Sequence, residues 1–501
     1  MSSSSSIKSE WMLVAETISI PALQELASRH AYPQEPPLAP APITVHTPPL
    51  WGAYNLAYPI TLPDGRKWLA RIPFPEYFDQ PSMESAMCTL RLICEKTTIP
   101  IPTIHAYDTS SENALGAPYI LMDFAEGVSL DSVWLDIDDD ARRRIFEQIA
   151  GHMSQLGRFE FDKIGALCYD EASRTYSVGP CRRQQLVNCS SDADMPVETR
   201  PMEDLGPFDT AHGFFAHLVQ SFVGTFAPAE KPFAYLTRML ALSLPDPAYD
   251  GPPFVLSHPD FNPQNILVDP VTFEVTAFID WDGVQVGPRH GDFARCPTWI
   301  TKDWDPALYQ WVAPRAMDAL PPGSSNAFGN EELMDNMSGS HASDPDVDTS
   351  GSSSSSVKTQ SETDADSEKS GVEEPVVPCT VAGKDATEAS CPQPIDSSDS
   401  ETSESPLTSS SSGISTSSSS ESGISSLSTS SEESPETLRR HRELYASIYA
   451  GIDPQNADIT RQSHIYEALH IALHNPFPLA HGIVTKLRNE WIKMAEEKDT
   501  R

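Results

Sequence analysis

His258-Pro-Asp260-Phe-Asn-Pro-Gln-Asn265, followed by Ile279-Asp280-Trp281-Asp282, is the stretch on which the reading of this chain turns. Between its two halves lie Ile-Leu-Val-Asp (266–269) and Val-Thr-Ala-Phe (275–278), apolar runs separated by the turn Asp269-Pro270. They predict two short strands, with the polar residues in the loops at their ends. A carboxylate, an amide and a second carboxylate in this order supply what phosphoryl transfer needs. Asp260 would orient an attacking hydroxyl and accept its proton, while the Asn265 oxygen and Asp280 would hold magnesium against nucleotide phosphates. Asp and Asn also favour turns, so hydrogen bonding within the loops is the plainer alternative.

Upstream, Asp138–Phe159 opens with acidic residues and repeats apolar ones at helical spacing, which begins a mostly helical region. Before it, WGAYNLAYPITLPDGRKWLARIP (51–73) alternates apolar and polar residues around Asp64-Gly65, the pattern of two antiparallel strands joined by a tight turn. A helix over Pro81–Thr97, an extended IPIPTIHAYD (99–108) and a strand in PYILMDFAEG (118–127) complete a small sheet with one helix packed on it. The N-terminus contributes an amphipathic segment, Trp11–Arg29, and a Pro-rich linker.

Downstream, the 501-residue chain changes character. From Ser325 to Thr437 there are 22 acidic and 3 basic residues, about half of the formal net charge of −37. Such a Ser-rich acidic tract cannot bury enough apolar surface to offset its ordering entropy, and it is expected to be disordered. Three amphipathic helical patterns follow in PETLRRHRELYASIYAGI, SHIYEALHIALHNPF and LAHGIVTKLRNEWIKMAEE. The tract then interrupts one helical lobe, which loop entropy permits because closure cost grows slowly with length. The expected divisions are 1–45 extension and linker, 46–127 N-lobe, 128–323 helical C-lobe, 324–433 insertion and 434–501 completing helices.

The acidic balance disfavours nucleic acid and anionic membrane as partners, since both need clustered Lys and Arg, and it tolerates a neutral or cationic small molecule. Eight cysteines without Cys-x-x-Cys pairing read as reduced thiols. With no apolar run of signal-peptide or membrane-spanning length, a cytoplasmic protein is expected.

The His-x-Asp-x-x-x-x-Asn spacing resembles the kinase catalytic loop, with Ile279-Asp280-Trp281 in the place of the metal-binding Asp-Phe-Gly. Trp281 and the missing activation-loop signals make the aminoglycoside phosphotransferase family, with its choline-kinase-like relatives, the closer resemblance. Its large fungal branch is the most similar, through GAYNLAYPI, WLARIP, IPIPTIHAYD, GAPYILMDFAEG and GPRHGDFAR. The resemblance implies an α+β, two-lobed protein-kinase-like fold, with a small antiparallel N-lobe sheet and a mostly helical C-lobe. It implies ATP or GTP as donor, Mg²⁺, and a hydroxyl-bearing small molecule as acceptor.

It also implies roles for single residues. Gly52, in the hairpin Gly52–Tyr58, would let backbone N–H groups approach phosphate, although the stretch lacks the full glycine signature and reads equally as an ordinary turn. Arg71 stands where kinases carry lysine, with Glu84 as its expected ion-pair partner. The strand and hinge containing Met122 and Phe124 would hold adenine. His258 would brace the catalytic loop, Asp282 would touch a second metal or stay a solvated turn residue, and Asp292 would cap a helix or brace the loop. A pseudokinase scaffold and, less closely, a protein kinase are the alternative activities.

Overall fold

Alternation at period two in residues 55–73 places every second side chain on one face of a sheet, and the computed structural model realises that pattern. It describes residues 12–33, 43–184, 202–224, 231–291, 293–305, 309, 311, 432–474 and 479–499. All of these fall in one unit, Met1–Trp311 with Cys379–Arg501. Most of the Ser-rich acidic tract expected over 324–433 lies outside the described residues.

The N-terminal amphipathic segment is broken in two. Ser19 caps a new helix α1 (Ile20–Ala31) by accepting a hydrogen bond from Ala22 N, and Pro21 in its first turn suits a helix start. Leu23 and Ala27 of α1 are buried with Leu56, Tyr58, Ile60, Trp68, Ala70 and Ile72. The helix therefore covers the outer face of the sheet.

That sheet has six strands: β1 (Thr44–Val45), β2 (Leu50–Trp51), β3 (Asn55–Thr61), β4 (Lys67–Pro73), β5 (Ile104–Asp108) and β6 (Tyr119–Asp123). The order is β1-β3-β4-β6-β5, with β2 pairing β3, and every pairing is antiparallel. With Trp68, Ala70 and Ile72 facing α1, Arg71 must point to the opposite face. Helix α2 (Gln80–Lys96), capped by Asp79, buries Ala86, Met87, Leu90 and Ile93 in the central core together with Ile120 of β6.

The chain leaves the sheet through Gly127 into β7 (Val128–Ser129), then α3 (Asp139–Met153). Two ribbons follow, β8 (Ala166–Asp170) with β9 (Thr175–Gly179), and β10 (Cys181–Gln184) with β11 (Met202–Leu205). Sequence periodicity gave no sign of these short ribbons, whose edges carry mixed polar and apolar residues. After α4 (Ala211–Gly224) and α5 (Lys231–Ser243) come β12 (Val255–Leu256), β13 (Ile266–Val268), β14 (Val275–Phe278) and β15 (Val286–Gly287). Strand β13 lies between β14 and β7, while β12 pairs β15. The stretch His258–Asn265 therefore occupies the connection from β12 to β13; β13 and β14 are the two strands expected over 266–269 and 275–278, and β12 is an addition to them.

Three helices close the chain: α6 (Pro435–Ile452), α7 (Ala457–His474) and α8 (Leu479–Asp499). Helix α6 packs on α3, with Phe146 and Tyr445 ring centroids 5.5 Å apart. Helices α7 and α8 share a core with α4 and α5 through Phe215, Leu218, Leu240, Leu469, Leu473 and Leu487. Segments on either side of the acidic tract meet. Arg442 Nη1 donates to Asp303 Oδ1 at 2.6 Å, and the Tyr309 hydroxyl donates to Glu433 O at 2.9 Å. The result is the two-lobed α+β arrangement, an antiparallel N-lobe sheet followed by a mostly helical C-lobe, with the helical lobe built from both sides of the tract.

The passage between lobes admits no side chain. Gly127 has φ +125°, and a Cβ there would lie 2.7 Å from Thr276 Oγ1 and 2.8 Å from Val268 O. Thr276 Oγ1 donates to Glu126 O at 2.7 Å, drawing the linker onto the β13–β14 hairpin. Gly127→Ala is expected to destabilise the fold by about 2 kcal/mol or more, from strain and lost packing together. Urea unfolding of the full chain measures this.

Candidate active site

Short strands ending in a polar loop leave backbone groups to be satisfied, and His258 satisfies one of them. Its ring is buried, 2% exposed, and Nε2 lies 2.9 Å from Ile279 O. A carbonyl only accepts, so Nε2 carries the proton. Burial pushes the imidazole down to about 3, so the ring is neutral at neutral pH. Trp281 packs against it with ring centroids 4.4 Å apart. The next backbone group is used as well, since Ile279 N donates to Asn265 O at 2.9 Å. The loop between β12 and β13 is thereby fastened to the end of β14 from both of its ends.

Within that loop, Asn265 Nδ2 donates to Asp260 O at 3.0 Å and to Asp260 Oδ2 at 2.9 Å. With its amide hydrogens committed to Asp260, Asn265 keeps Oδ1 as its remaining acceptor. Asn262 Nδ2 donates to Asp260 Oδ1, and Thr298 Oγ1 donates in turn to Asn262 Oδ1. Each Asp260 oxygen is thus oriented by an amide while retaining a second lone pair.

Asp280 follows Ile279 in the left-handed region, φ +63°. Aspartate tolerates that region better than most side chains, and such a position is a common place for functional strain. Burial raises its pKa, while Arg71 pulls in the other direction. Arg71 Nη2 lies 3.3 Å from Asp280 Oδ1 and 2.9 Å from Asp282 Oδ2. A cation from the N-lobe sheet therefore spans to two carboxylates of the C-lobe.

This corrects the expected Arg71–Glu84 pair. Glu84 Oε1 instead accepts from Gln80 Nε2 at 2.8 Å and from Thr109 Oγ1 at 3.1 Å. Position explains the change: Arg71 points to the inner sheet face, where two acidic residues of one turn outcompete a single glutamate in the first turns of α2. Glu84 lines a cavity of about 1260 Å³ with Arg91, Tyr107 and Cys168, and Asp260, Asn265 and Asp280 are not in its lining.

Gly52 sits in the tight turn between β2 and β3, donating its N–H to Asn55 O at 3.0 Å. A Cβ would stand 3.1 Å from the same oxygen, so a side chain there requires the turn to give by a few tenths of an ångström. Met122 pairs with Leu69 in the sheet, and Phe124 N donates to Lys67 O at 3.0 Å just beyond β6. Met122 lies in β6 and Phe124 directly after it, on the way to the Gly127 passage. Asp292 lies outside the described residues.

Among the described residues no group of three or more His, Cys, Asp or Glu could hold a metal ion. Asn265 and Asp280 offer an amide oxygen and a carboxylate instead. That small oxygen set fits Mg²⁺, which keeps waters and takes its remaining ligands from substrate phosphates.

Residues 45–313 match the sequence profile of the phosphotransferase enzyme family, APH. The chain belongs to this family. Among curated proteins, it is 25% identical over 297 residues to a subtelomeric hrmA-associated cluster protein of Aspergillus fumigatus, covering 48% of this chain and 57% of that one. It is 23% identical over 293 residues to the altered inheritance of mitochondria protein 9 of Debaryomyces hansenii, covering 47% and 46%. The chain spans about half the length of the curated relatives it matches. Among solved structures, aminoglycoside phosphotransferase APH(4)-Ia is similar at 14% identity with TM-score 0.33, over 57% of this chain and 76% of that one.

Local sequence signals led to Asp260, Asn265 and Asp280 but not to the groups that orient them. Asn262 was legible in principle, as a short amide two residues past the aspartate. Thr298 and Arg295 were not, because their contacts span more than thirty-five residues. Buried imidazoles set the acid response. His258 and His464 are each held down to about 3, chiefly by burial. Each binds a proton on unfolding once the pH drops below about 6.5, the value of a free imidazole, so their contribution is intact above that pH and is lost on acidification. Urea unfolding at pH 7, 6 and 5 should show stability falling by up to about 1.4 kcal/mol per pH unit for each of the two. His464→Gln should remove one proton from that slope.

Proposed function

We propose that this protein transfers the γ-phosphoryl group of ATP or GTP to a hydroxyl of a small molecule. The observation that carries the reading is Asp260, held by amides on both oxygens, in one hydrogen-bonded unit with Asn265 and with the strand end that bears Asp280. The acceptor hydroxyl donates to Asp260, its oxygen attacks the γ-phosphorus, the bond to the β–γ bridging oxygen breaks, and the proton passes to Asp260. Asn265 and Asp280 would hold Mg²⁺, which when bound neutralises phosphate charge. Arg71 adds positive charge from the N-lobe side, and Gly52 lets the turn approach phosphate closely. Met122 and Phe124 stand at the strand and hinge where adenine would be held.

Positioning and electrostatics do most of the work in such a reaction, since the protein forms no covalent bond to the phosphoryl group. The acidic charge balance suits a cationic acceptor. The fungal sources of the two relatives support a place in the fungal branch, beside choline-kinase-like proteins. The excess of 71 acidic over 34 basic residues speaks against nucleic acid. Among the described residues no helix is long and apolar enough to cross a membrane. A cytoplasmic location is the companion proposal.

One observation favours a second reading, a nucleotide-binding scaffold without turnover: Arg71 is engaged by Asp280 and Asp282 rather than by Glu84. Magnesium-dependent ATP and GTP turnover by the full chain separates the two, with a panel of amino-alcohols, sugars and aminoglycosides as acceptors. Acceptor-stimulated turnover should fall by on the order of 10²–10⁴ in Asp260→Ala and Asp280→Ala. Nucleotide binding with no turnover on any acceptor would instead support the scaffold.

A further inference from the structure

Arg295, the last residue of the GPRHGDFAR stretch and thirteen residues after Asp282, reaches the loop that carries Asp260. Its Nη2 donates to His258 O at 2.6 Å and lies 3.5 Å from Pro259 O. Its Nη1 pairs with Glu467 Oε2 at 2.9 Å, and the two side chains are 12% and 18% exposed. The guanidinium also stands 5.9 Å from the Phe261 ring centroid. Three residues of the loop, His258, Pro259 and Phe261, therefore meet one cation.

Helix α7 is placed to hold that cation. Cys296 N donates to Ser463 Oγ at 2.9 Å, and Cys296 Sγ approaches Thr460 O at 3.5 Å. Thr460, Ser463 and Glu467 are spaced at i, i+3 and i+7, a single helical face. Thr460 and Ser463 are buried on it. A buried guanidinium contacting only backbone carbonyls would lack a counter-charge, and Glu467 supplies one across 172 residues of chain.

We propose that Glu467 is a positioning residue for phosphoryl transfer: through Arg295 it fixes the backbone of His258 and Pro259, and so the direction in which Asp260 points. Glu467 touches neither nucleotide nor acceptor. The inference rests on the reading of Asp260 given above and adds a dependence of that site on a helix encoded after the acidic tract. Without its carboxylate, the guanidinium would turn toward solvent and release both carbonyls, leaving the Asp260 loop hinged only on the His258 ring and Asn265.

The test uses the full chain with Glu467→Gln, Glu467→Asp, Arg295→Lys and the double variant Glu467→Gln/Arg295→Lys. Mg²⁺-dependent hydrolysis of ATP is the kinetic probe, and hydrogen–deuterium exchange of the peptide 256–266 is the structural one. Glu467→Gln should raise exchange in that peptide, with exchange in the N-lobe sheet unchanged. It should lower kcat about tenfold and leave the nucleotide KM within about twofold, the pattern of lost transition-state alignment. Glu467→Asp should restore part of both, and the double variant should be no worse than the poorer single one. Unchanged exchange at 256–266 in Glu467→Gln, or exchange rising equally throughout the chain with no recovery in Glu467→Asp, would overturn the proposal. Asp260→Asn run alongside keeps the two ideas apart. Local loosening in Glu467→Gln with hydrolysis insensitive to Asp260→Asn would count against the phosphotransferase reading while sustaining the link from Glu467 to the loop.

Discussion

A neutral imidazole donating one hydrogen bond to the Ile279 carbonyl is the constraint on which the site is built. The loop from β12 to β13 carries Asp260 and Asn265, and the turn after β14 carries Asp280. Apart from the 3-10 turn Pro263–Asn265 neither contains regular structure, and each would be free to drift without a fixed reference. His258 Nε2 to Ile279 O and Ile279 N to Asn265 O supply two such references at adjacent groups of the same residue. The Ile279 carbonyl selects the tautomer by accepting from Nε2–H, and burial beneath Trp281 keeps the ring neutral.

Charge around this unit is distributed so that few groups lack a counterpart. Asp280 and Asp282 share Arg71, Arg295 shares Glu467, and Asp303 meets both Arg442 and Lys486. Paired and partly buried charges of this kind contribute less to stability than to uniqueness, because breaking one leaves an uncompensated partner. Arg182 extends the logic to the lobe boundary. It pairs with Asp79, the cap of α2, at 2.8 Å and with Asp204 of β11 at 2.6 Å. The orientation of α2 is therefore tied to the β10–β11 ribbon as well as to the sheet beneath it.

The sequence carried the fold wherever one period dominated a stretch. Alternation in 55–73 specified β3, β4 and the face to which Arg71 points, and the three helical patterns after the acidic tract correspond to α6, α7 and α8. It failed where structure depends on partners distant in the chain. The ribbons β8–β9 and β10–β11 have no strong alternation and are defined by what they pack against. Glu84 illustrates the same limit at the site. Its place on α2 was legible, but its partner was settled by the competition of Asp280 and Asp282 for Arg71, residues more than two hundred positions away.

The Arg71 contacts bear on how such a site could be completed. A guanidinium shared between Asp280 and Asp282 is held at 17% exposure by carboxylates on the far side of the lobe boundary. Divalent magnesium and a triphosphate brought between these groups would change both terms of that balance. Asp280 would gain a stronger cation, and Arg71 a stronger anion, so the exchange conserves pairing while altering who is paired with whom. Asp282 alone would keep its claim on Arg71, across the pair of contacts at 2.9 and 3.5 Å from its two oxygens. Arginine, with its planar fork and several donors, can serve a carboxylate and a phosphate at once, which a lysine ammonium at the same point of β4 would do with less geometric control. Its presence is therefore compatible with a working phosphate site, and the carboxylate at 282 is the feature that makes arginine rather than lysine the better match there.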